Sequence, residues 1–238
     1  MVFSVTAPEQ RRGSIALLAD AHIGGPGGAA EPLAAEIDGL AAAGCEQLVV
    51  LGDLFQVWVA EKRYETDDVR AVLAALGRLR ESGVRIDYVE GNRDFFVADS
   101  AYAEIFDSVG VEIEFLAGGV RYLAVHGDGL NEGDRQYLFW RWLSKSRWVR
   151  WLMFNLPRGL AHRLVHGTER RLADTNFKHK QQIPREAICD YGERRLREGF
   201  DCLLLGHFHE PRRWPVAGGE VRILDAWFRT RSVEWLPA

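Results

Sequence analysis

The 238-residue sequence predicts an α/β fold in which part of the sheet is parallel. Short apolar runs alternate along the chain with segments whose apolar residues recur at helical spacing, and this alternation carries the prediction. Residues 135–185 interrupt it and contain no strand pattern. With 47% apolar residues, the chain is long enough to form one sizeable core. We therefore expect an α/β core that carries a helical insertion.

The predicted strands are short apolar runs that end at turn or polar residues. They cover residues 14–19, 47–51, 86–89, 111–115, 120–125, 201–205, 221–226 and 232–236. Helices are predicted between Pro32 and Gly44, along the apolar stripe from Val69 to Leu79, over 101–109, and after residue 185. The glycines at 118 and 119 separate two strand runs and indicate a hairpin.

Charge and cysteine content limit the class of protein. The net charge of −4 argues against nucleic-acid binding, and Cys45, Cys189 and Cys202 are scattered without metal-binding spacing. Scattered cysteines are typical of a reducing compartment rather than of a disulfide framework. The first fourteen residues lack the apolar core of a signal peptide, and no apolar stretch approaches the roughly 20 residues of a spanning helix. We expect a cytoplasmic protein, either soluble or peripheral to a membrane.

Polar clusters follow five of the predicted strands. They are Asp20-Ala21-His22, Gly52-Asp53, Gly91-Asn92-Arg93-Asp94, His126-Gly127-Asp128 and Gly206-His207-Phe208-His209. Because open α/β sheets place their sites at the carboxyl ends of strands, these clusters should converge. Carboxylate, amide and imidazole donors without a thiolate favour Mn, Fe, Zn or a similar divalent ion. The Asp53 carboxylate can bridge two ions about 3.5–4 Å apart.

Alone, each cluster has an ordinary explanation. Asp20 and His22 by themselves suggest a helix cap and a surface histidine, and Gly52-Asp53 suggests a turn. His207 and His209 are as compatible with a surface pair as with a site. Five such clusters in this order, all at strand ends, instead predict one metal centre.

The order of the clusters, D-x-H, GD, GN-x-D, H and GH-x-H, resembles that of the calcineurin-like metallophosphoesterase superfamily. The resemblance implies a four-layer αββα sandwich with two metal ions, and it assigns ligands to each ion. The first set is Asp20, His22, Asp53 and His209. The second set is Asp53, Asn92, His126 and His207.

Longer stretches narrow the resemblance. GDLFQVW, GNRDFF, HGDGLNEGDRQY and the insertion before GHFHEP are similar to those of the UDP-2,3-diacylglucosamine pyrophosphohydrolases of lipid A biosynthesis. This similarity implies two divalent ions, with Mn²⁺ as the metal, and a lipid-linked nucleotide sugar as substrate. Water would attack the uridine-side phosphorus and give UMP and 2,3-diacylglucosamine 1-phosphate (lipid X). Gln56 and Phe208 depart from the family, which usually has an acid and a threonine there.

The same resemblance assigns roles in the reaction. Catalytic roles fall to Asp53, Asn92, Arg93 and His207. Substrate contacts fall to Asn92, Arg93, Asp134, Asn176 and His207. We also expect contacts from Lys178 and Lys180, which flank His179 at the position where the family has a lysine. Many superfamily members have a histidine where Arg93 stands. Because arginine stays protonated, Arg93 can hold phosphate oxygens but cannot protonate a leaving group. We expect Asp94 to orient a neighbouring group.

Residues 135–185 form the predicted insertion, and 1–134 with 186–238 form the core. The insertion carries twelve Lys or Arg against two acidic residues, so its charge is +10 and that of the remaining chain is −14. Four of the eight tryptophans lie in it. An apolar stripe recurs every fourth residue, with the members Trp148, Leu152, Leu156, Leu160 and Leu164. Pro157 is predicted to separate two helices.

Three explanations of the insertion stay open. Its tryptophans and leucines could face inward beneath a charged face, or its cations and aromatics could bind nucleic acid. It could also be a cap that receives lipid chains and faces anionic head groups. We favour the lipid cap, with an anionic membrane surface as partner, no nucleic-acid partner, and a position on the cytoplasmic face of the inner membrane. The alternative functions are another metallophosphoesterase, such as a phosphodiesterase or nuclease, and an inactive scaffold.

Overall fold

The computed structural model describes residues 14–131, 133, 135–156 and 183–236. In it, two five-stranded sheets lie face to face, and helices cover their outer faces. The strands are β1 (Ile15–Leu18), β2 (Gln47–Val50), β3 (Trp58–Val59), β4 (Arg85–Val89), β5 (Asp94–Phe95), β6 (Ser108–Gly110), β7 (Glu112–Ala117), β8 (Val120–Val125), β9 (Cys202–Leu205), β10 (Arg212–Val216), β11 (Gly219–Ile223) and β12 (Glu234–Leu236). The α-helices are α1 (Ala30–Leu40), α2 (Asp67–Glu81), α3 (Arg135–Ser144), α4 (Arg147–Asn155), α5 (Arg185–Leu196) and α6 (Trp227–Thr230).

The first sheet has the strand order β12-β1-β2-β4-β6. Strands β1, β2, β4 and β6 run parallel, and β12 pairs with β1 in the antiparallel direction. Helices α1 and α2 cover its outer face because their apolar stripes, which include Ile37 and Leu76, are buried against it. Helix α2 begins where the Thr66 side chain accepts a hydrogen bond from Val69 N–H, as is usual for a helix N-cap.

The second sheet has the order β10-β11-β9-β8-β7. Its three central strands run parallel, and β10 and β7 are antiparallel at the edges. Strands β7 and β8 form the hairpin that Gly118 and Gly119 predict. Helix α5 covers the outer face through Ile188 and Leu196.

Three apolar layers hold the sandwich together. One lies between the first sheet and its helices, the second between the two sheets, and the third between the second sheet and α5. The middle layer joins Leu17 and Val49 of the first sheet to Ala124 and Leu204 of the second. Each large apolar side chain that is buried contributes about 1.5–3 kcal/mol. This layering confirms the predicted αββα sandwich.

The predicted helix over 101–109 is wrong in its second half. Ala101–Ile105 form only a short 3₁₀ helix, and strand β6 follows. The Asp107 side chain accepts a hydrogen bond from Ile86 N–H (2.8 Å), which places β6 beside β4. Strands β3, β5 and β10 are also absent from the prediction, because short strands of mixed polarity carry little periodic signal.

Both helices described in the insertion precede Pro157. The break between them lies at Ser146, the N-cap of α4, whose side chain accepts a hydrogen bond from Val149 N–H. The predicted break at Pro157 therefore does not divide these two helices, and Pro157 itself lies outside the described residues. Among the described helices, none combines the length and the apolar character needed to cross a bilayer.

Helix α4 has one face fixed to the core and one face exposed. Met153 is buried with Val59, Tyr64 and Phe96, and the Tyr64 hydroxyl donates to the Met153 carbonyl oxygen (2.6 Å). On the opposite face, the Trp148 side chain is 82% exposed. All four tryptophans of α3 and α4 are exposed. The explanation in which the tryptophans of the insertion face inward is therefore wrong for these helices.

Candidate metal centre

The carboxyl ends of five strands bring the seven expected ligands to one edge of the sandwich. These ligands are Asp20 and His22 after β1, Asp53 after β2, Asn92 after β4, His126 after β8, and His207 and His209 after β9. Six of them have a side-chain atom within 4 Å of another ligand's side chain. His207 is tied to the same place through its backbone N–H, which donates to Asp20 Oδ2 (2.8 Å).

The backbone of this region adopts a conformation that L-residues rarely take. Five of the seven expected ligands have a positive φ, namely Asp20 (49°), His22 (47°), Asp53 (50°), His207 (65°) and His209 (57°). Each such non-glycine residue costs on the order of 1 kcal/mol or more. Hydrogen bonds between loops hold the conformation, as where His22 N–H donates to the Asp53 carbonyl oxygen (3.0 Å). Strain concentrated in this way is typical of a functional site.

Gly52 and Gly91 leave room for the ligand side chains. Gly52 has a φ of +85°, and a β-carbon there would lie 2.8 Å from His126 Nδ1. A β-carbon at Gly91 would collide with the Asp53 carboxylate. The GD and GN clusters therefore need glycine because other parts of the site occupy the space of a side chain.

One group of donors surrounds a point between Asp20, His22 and His209. His22 Nε2 lies 3.0 Å from His209 Nε2. Asp20 Oδ1 lies 3.1 Å from His209 Nε2 and 3.7 Å from His22 Nε2. Asp53 Oδ2 lies 3.9 Å from His22 Nε2. Ligands about 2.0–2.2 Å from a metal ion lie about 3–4 Å from one another. The structure thus brings together the four residues of the first predicted set.

A second group of donors surrounds His126. Its Nε2 lies 3.2 Å from Asn92 Oδ1 and 3.5 Å from Asp53 Oδ1. The His207 ring is 5.2 Å from the His126 ring, centroid to centroid. Asp53 therefore directs Oδ2 toward the first group and Oδ1 toward the second, which is the position of a bridging carboxylate.

The chemistry of these donors fits divalent ions. His22 and His209 turn their Nε2 atoms toward each other at 3.0 Å, an arrangement that a cation between them stabilises. His126 Nδ1 lies 2.7 Å from the Leu51 carbonyl oxygen, which can only accept. Nδ1 therefore carries a proton, and Nε2 is the atom that offers a lone pair to the second group once it is deprotonated. Oxygen and imidazole donors without a thiolate suit a hard or borderline divalent ion.

Burial and neighbouring charges set the protonation of the histidines. Burial lowers the pKa of His22 to about 3 and that of His207 to about 4, so both are neutral near pH 7 and can ligate a metal. Burial also opposes the charged form of His126, but the Asp53 and Asp20 carboxylates raise its pKa to about 10. Positive charge is therefore favoured beside Asp53 when no metal ion supplies it.

The carboxylates of Asp20 and Asp53 stay ionised although both are buried. Burial raises the pKa of each, but His209 beside Asp20 and His126 beside Asp53 bring both pKa values well below the ordinary range. Two buried anions need positive charge beside them, which His126 and Arg93 supply here and which a bound cation can also supply.

Asp94 joins two of the ligand loops through their backbone. Its Oδ2 accepts hydrogen bonds from Asp53 N–H (2.9 Å) and Gly91 N–H (2.8 Å). Burial and the nearby Asp53 raise the pKa of Asp94 to about 7. The expectation that Asp94 orients a neighbouring group is confirmed, and the groups it orients are the backbones of the GD and GN loops.

Arg93 is buried beside the shared carboxylate. Its backbone N–H donates to Asp53 Oδ1 (2.9 Å), and its Nε lies 3.4 Å from Asp53 Oδ2. Its Nη1 donates to the Gln56 carbonyl oxygen (3.0 Å). The guanidinium thus lies in the site, and its expected role as a phosphate clamp stays a prediction. The other expected substrate residues, Asp134, Asn176, Lys178 and Lys180, lie outside the described residues.

The prediction missed a contribution from the C-terminal segment. The Phe228 ring lies 5.7 Å from the His22 ring and 5.1 Å from the His209 ring, centroid to centroid. The Arg229 guanidinium donates to the His209 carbonyl oxygen (2.6 Å). A signal was available, because this segment follows β11, a parallel strand whose carboxyl end lies at the same edge as the ligand loops.

A family of known proteins matches most of the chain. The family "Calcineurin-like phosphoesterase" matches residues 13–211, a span that contains all seven expected ligands. The chain belongs to the calcineurin-like phosphoesterase family. As a calcineurin-like phosphoesterase, it is a metal-dependent hydrolase of mixed α/β fold that uses divalent ions.

Three relatives of this calcineurin-like phosphoesterase carry the name UDP-2,3-diacylglucosamine hydrolase. The relative from Ralstonia nicotianae is 31% identical over 193 residues, which cover 76% of this chain and 71% of that protein. The relative from Aeromonas salmonicida is 31% identical over 207 residues, covering 81% of this chain and 77% of that protein. The relative from Aeromonas hydrophila is 29% identical over 205 residues, covering 81% of each. The similarity to this group of hydrolases therefore extends over most of the chain.

Proposed function

We propose that this calcineurin-like phosphoesterase hydrolyses the pyrophosphate of UDP-2,3-diacylglucosamine to UMP and 2,3-diacylglucosamine 1-phosphate (lipid X) in lipid A biosynthesis. One observation carries the proposal: the two oxygens of Asp53 face two neighbouring groups of metal donors, one at His22 and one at His126. The names of the relatives supply the substrate. Water attacks the uridine-side phosphorus, and the bond to the bridging oxygen breaks.

The proposed metal ligands form two sets that share Asp53. The first set is Asp20, His22, Asp53 and His209, and the second is Asp53, Asn92, His126 and His207. Mn²⁺ is the proposed metal, because it accepts carboxylate, amide and imidazole donors and needs no thiolate. When bound, the two ions supply a more acidic water and neutralise charge on the phosphoryl oxygens.

Side chains of the protein bind the phosphate groups of the substrate. We propose that the Arg93 guanidinium binds phosphate oxygens together with Asn92 and His207. The leaving group is a phosphate monoester, a weak base that leaves without protonation. An arginine at position 93, which cannot serve as a general acid, suits such a substrate.

We propose that residues 135–185 cap a core made of 1–134 and 186–238, and that acyl chains lie between cap and core. The apolar contacts between α4 and the core support this placement. Asp134, Asn176, Lys178 and Lys180 are proposed to contact the head group of the substrate.

The exposed side of the cap suits a membrane surface. Here it is called the aromatic face, and it consists of Phe139, Trp140, Trp142, Trp148, Trp151 and Leu152, all exposed. Tryptophan is favoured at the level of lipid head groups. Exposed cations such as Arg135 and Arg147 add about 1 kcal/mol each at an anionic surface. We propose that the enzyme is peripheral on the cytoplasmic face of the inner membrane.

The decisive assay uses the purified full chain with Mn²⁺ and UDP-2,3-diacylglucosamine in mixed micelles. We expect UMP and lipid X in equal amounts, read by mass spectrometry. Hydrolysis in H₂¹⁸O should place the label in UMP, because water attacks the uridine-side phosphorus. Label in lipid X would contradict the proposed point of attack, and absence of UMP would contradict the proposed substrate.

A second candidate function is a nuclease or other phosphodiesterase. Exposed tryptophans next to arginines also suit single-stranded nucleic acid, whose bases stack on aromatic rings. Parallel incubation with single-stranded DNA and RNA separates the two, since cleavage of nucleic acid without release of UMP from the lipid favours the nuclease. An inactive scaffold would hydrolyse neither these substrates nor bis(p-nitrophenyl) phosphate with any divalent metal.

A further inference from the structure

The first cap helix contacts two ligand loops through a single polar stripe. Tyr137, Arg141 and Lys145 are spaced four residues apart, so their side chains share one face of α3 and of the turn that continues it. Phe139 and Trp140 lie elsewhere on the helix and are exposed. The polar stripe is therefore the side of α3 that meets the metal centre.

One end of the stripe holds the loop of His126. Asp128 follows His126 by two residues, and its carboxylate is buried. The Tyr137 hydroxyl donates to Asp128 Oδ2 (2.9 Å), while Arg141 donates through Nε to the same oxygen and through Nη2 to Oδ1 (3.5 Å). Loss of one partner from a buried ion pair leaves an uncompensated charge, which is strongly destabilising. The conformation of the His126 loop therefore depends on where α3 lies.

The other end of the stripe holds the loop of Asn92. Lys145 Nζ donates to the Gly91 carbonyl oxygen (2.8 Å) and lies 3.8 Å from Glu90 Oε2. The N–H of the same Gly91 donates to Asp94. Asp94 of the core thus binds the N–H of Gly91, and Lys145 of the cap binds its carbonyl oxygen.

We propose that Tyr137, Arg141 and Lys145 are positioning residues that set the separation of the Asn92 and His126 loops, and with it the geometry of the second metal set. The inference rests on the proposed function only in taking Asn92 and His126 as ligands of one ion. Their donor atoms, Oδ1 and Nε2, lie 3.2 Å apart. The cap then contributes to hydrolysis even of a substrate that never touches it.

The test compares Arg141→Gln and Lys145→Met in the full chain with Mn²⁺. The substrate is bis(p-nitrophenyl) phosphate, which has no acyl chain for the cap to bind. Loss of a group that orients metal ligands typically costs 10–100-fold in metal affinity or activity. We expect Arg141→Gln to lower kcat by about 10–100-fold, with a smaller loss for Lys145→Met.

Calorimetric titration with Mn²⁺ gives a readout that does not depend on turnover. We expect one of the two sites to weaken by about 10–100-fold in Arg141→Gln while the other keeps the wild-type affinity. The double variant Asp128→Asn/Arg141→Gln replaces the broken ion pair by a neutral hydrogen-bonded pair. It should recover diester hydrolysis relative to Arg141→Gln alone. If Arg141 did not act through its contact with Asp128, the added Asp128→Asn change would not restore hydrolysis.

Arg150→Gln is the matched control. Arg150 on α4 donates to the Asp99 carboxylate and carbonyl oxygen (2.9 Å each), but the loop of Asp99 carries no expected ligand. This variant should keep wild-type kcat and both Mn²⁺ affinities. The proposal is overturned if Arg141→Gln and Lys145→Met raise only KM for the lipid substrate, because α3 would then contact substrate without positioning the metal loops.

Melting curves of the variants show whether a loss of activity comes from displaced metal loops or from unfolding of the protein. If Arg141→Gln does not fold, Lys145→Met carries the test, because Lys145 is partly exposed and the Glu90 carboxylate that it faces keeps its hydrogen bond from Val97 N–H. Failure of the proposed function is a distinct result. A wild-type protein that binds Mn²⁺ but releases no UMP contradicts the lipid substrate, and the calorimetric comparison of the variants still decides the role of α3.

Discussion

The candidate metal centre and helix α4 break the usual rule that polar side chains are exposed and apolar ones buried, and they break it in opposite directions. At the metal centre, charged and polar groups are buried: within the described residues, every buried ionisable Asp, Arg or His except Asp87 belongs to a ligand loop. On α4, tryptophans are exposed, and Trp148 is more exposed than any other large apolar side chain described. Buried polar groups and exposed apolar patches are the two observations that carry functional information.

The two regions also differ in how firmly the fold determines them. The ligand loops follow buried parallel strands, and hydrogen bonds from Asp94 and between loops fix their strained backbone. Helix α4 is attached through one small apolar cluster around Met153 and Tyr64 and through the hydrogen bonds of Arg150 to Asp99. Its Trp148 side is exposed within the described part of the chain. The first region is built to hold atoms at fixed distances, and the second is built to present a surface.

The largest expected effect is at the carboxylate shared by both donor groups. Asp53→Ala should lower kcat on bis(p-nitrophenyl) phosphate by at least about 10²–10³-fold, the loss typical of one preorganised electrostatic group. Calorimetry should show weakened Mn²⁺ binding at both sites, because Asp53 faces both. Loss of only one site would mean that Asp53 does not bridge. Asp87→Asn, a buried acid outside the site, controls for the general effect of removing a buried carboxylate.

The attached face of α4 should matter for stability and little for chemistry. Met153→Ala removes a buried side chain from the cluster with Val59 and Phe96, so the free energy of unfolding should fall by about 2–3 kcal/mol. Urea denaturation measures the change, and hydrogen exchange at α4 shows whether the helix opens before the core. An unchanged free energy of unfolding would mean that the cap is not coupled to the sandwich.

Sequence patterns predicted where the expected metal ligands lie better than they predicted the bounds of α3 and α4, for a physical reason. The strands that carry the ligands are buried on both faces, so their apolar runs and the polar residues that end them, such as Asp20 and His126, are plain in the sequence. The break between α3 and α4 depends on a Ser146 cap, a weaker signal than Pro157. The contacts of Tyr137 and Arg141 with Asp128 span 9 and 13 residues. They join a loop residue to a helix and follow neither the helix nor the strand period, so no periodic pattern reveals them.

Metal binding should release a proton from His126. The folded pKa of about 10 lies above the ordinary 6.5, so His126 is charged at pH 7 and must lose its proton to ligate through Nε2. His22 and His207 have lowered pKa values of about 3 and 4 and release none. Titration with Mn²⁺ in buffers of different ionisation enthalpy should give about one proton per protein at pH 7. His126→Gln should lower the release by about one proton and leave only the part that Asp94, with its pKa of about 7, can give. A wild-type value near zero would contradict the raised pKa of His126.

The smallest effect on fold and chemistry is expected at the aromatic face. The double variant Trp148→Ser/Trp151→Ser should change the free energy of unfolding by no more than about 0.5 kcal/mol and leave diester hydrolysis intact, because both side chains are exposed. Flotation with phosphatidylglycerol vesicles should nevertheless fall several-fold relative to wild type, while neither protein should bind phosphatidylcholine vesicles strongly. Equal flotation of the variant and the wild type would show that the aromatic face does not bind the membrane. Loss of diester hydrolysis would show instead that the exposed and buried regions are not independent.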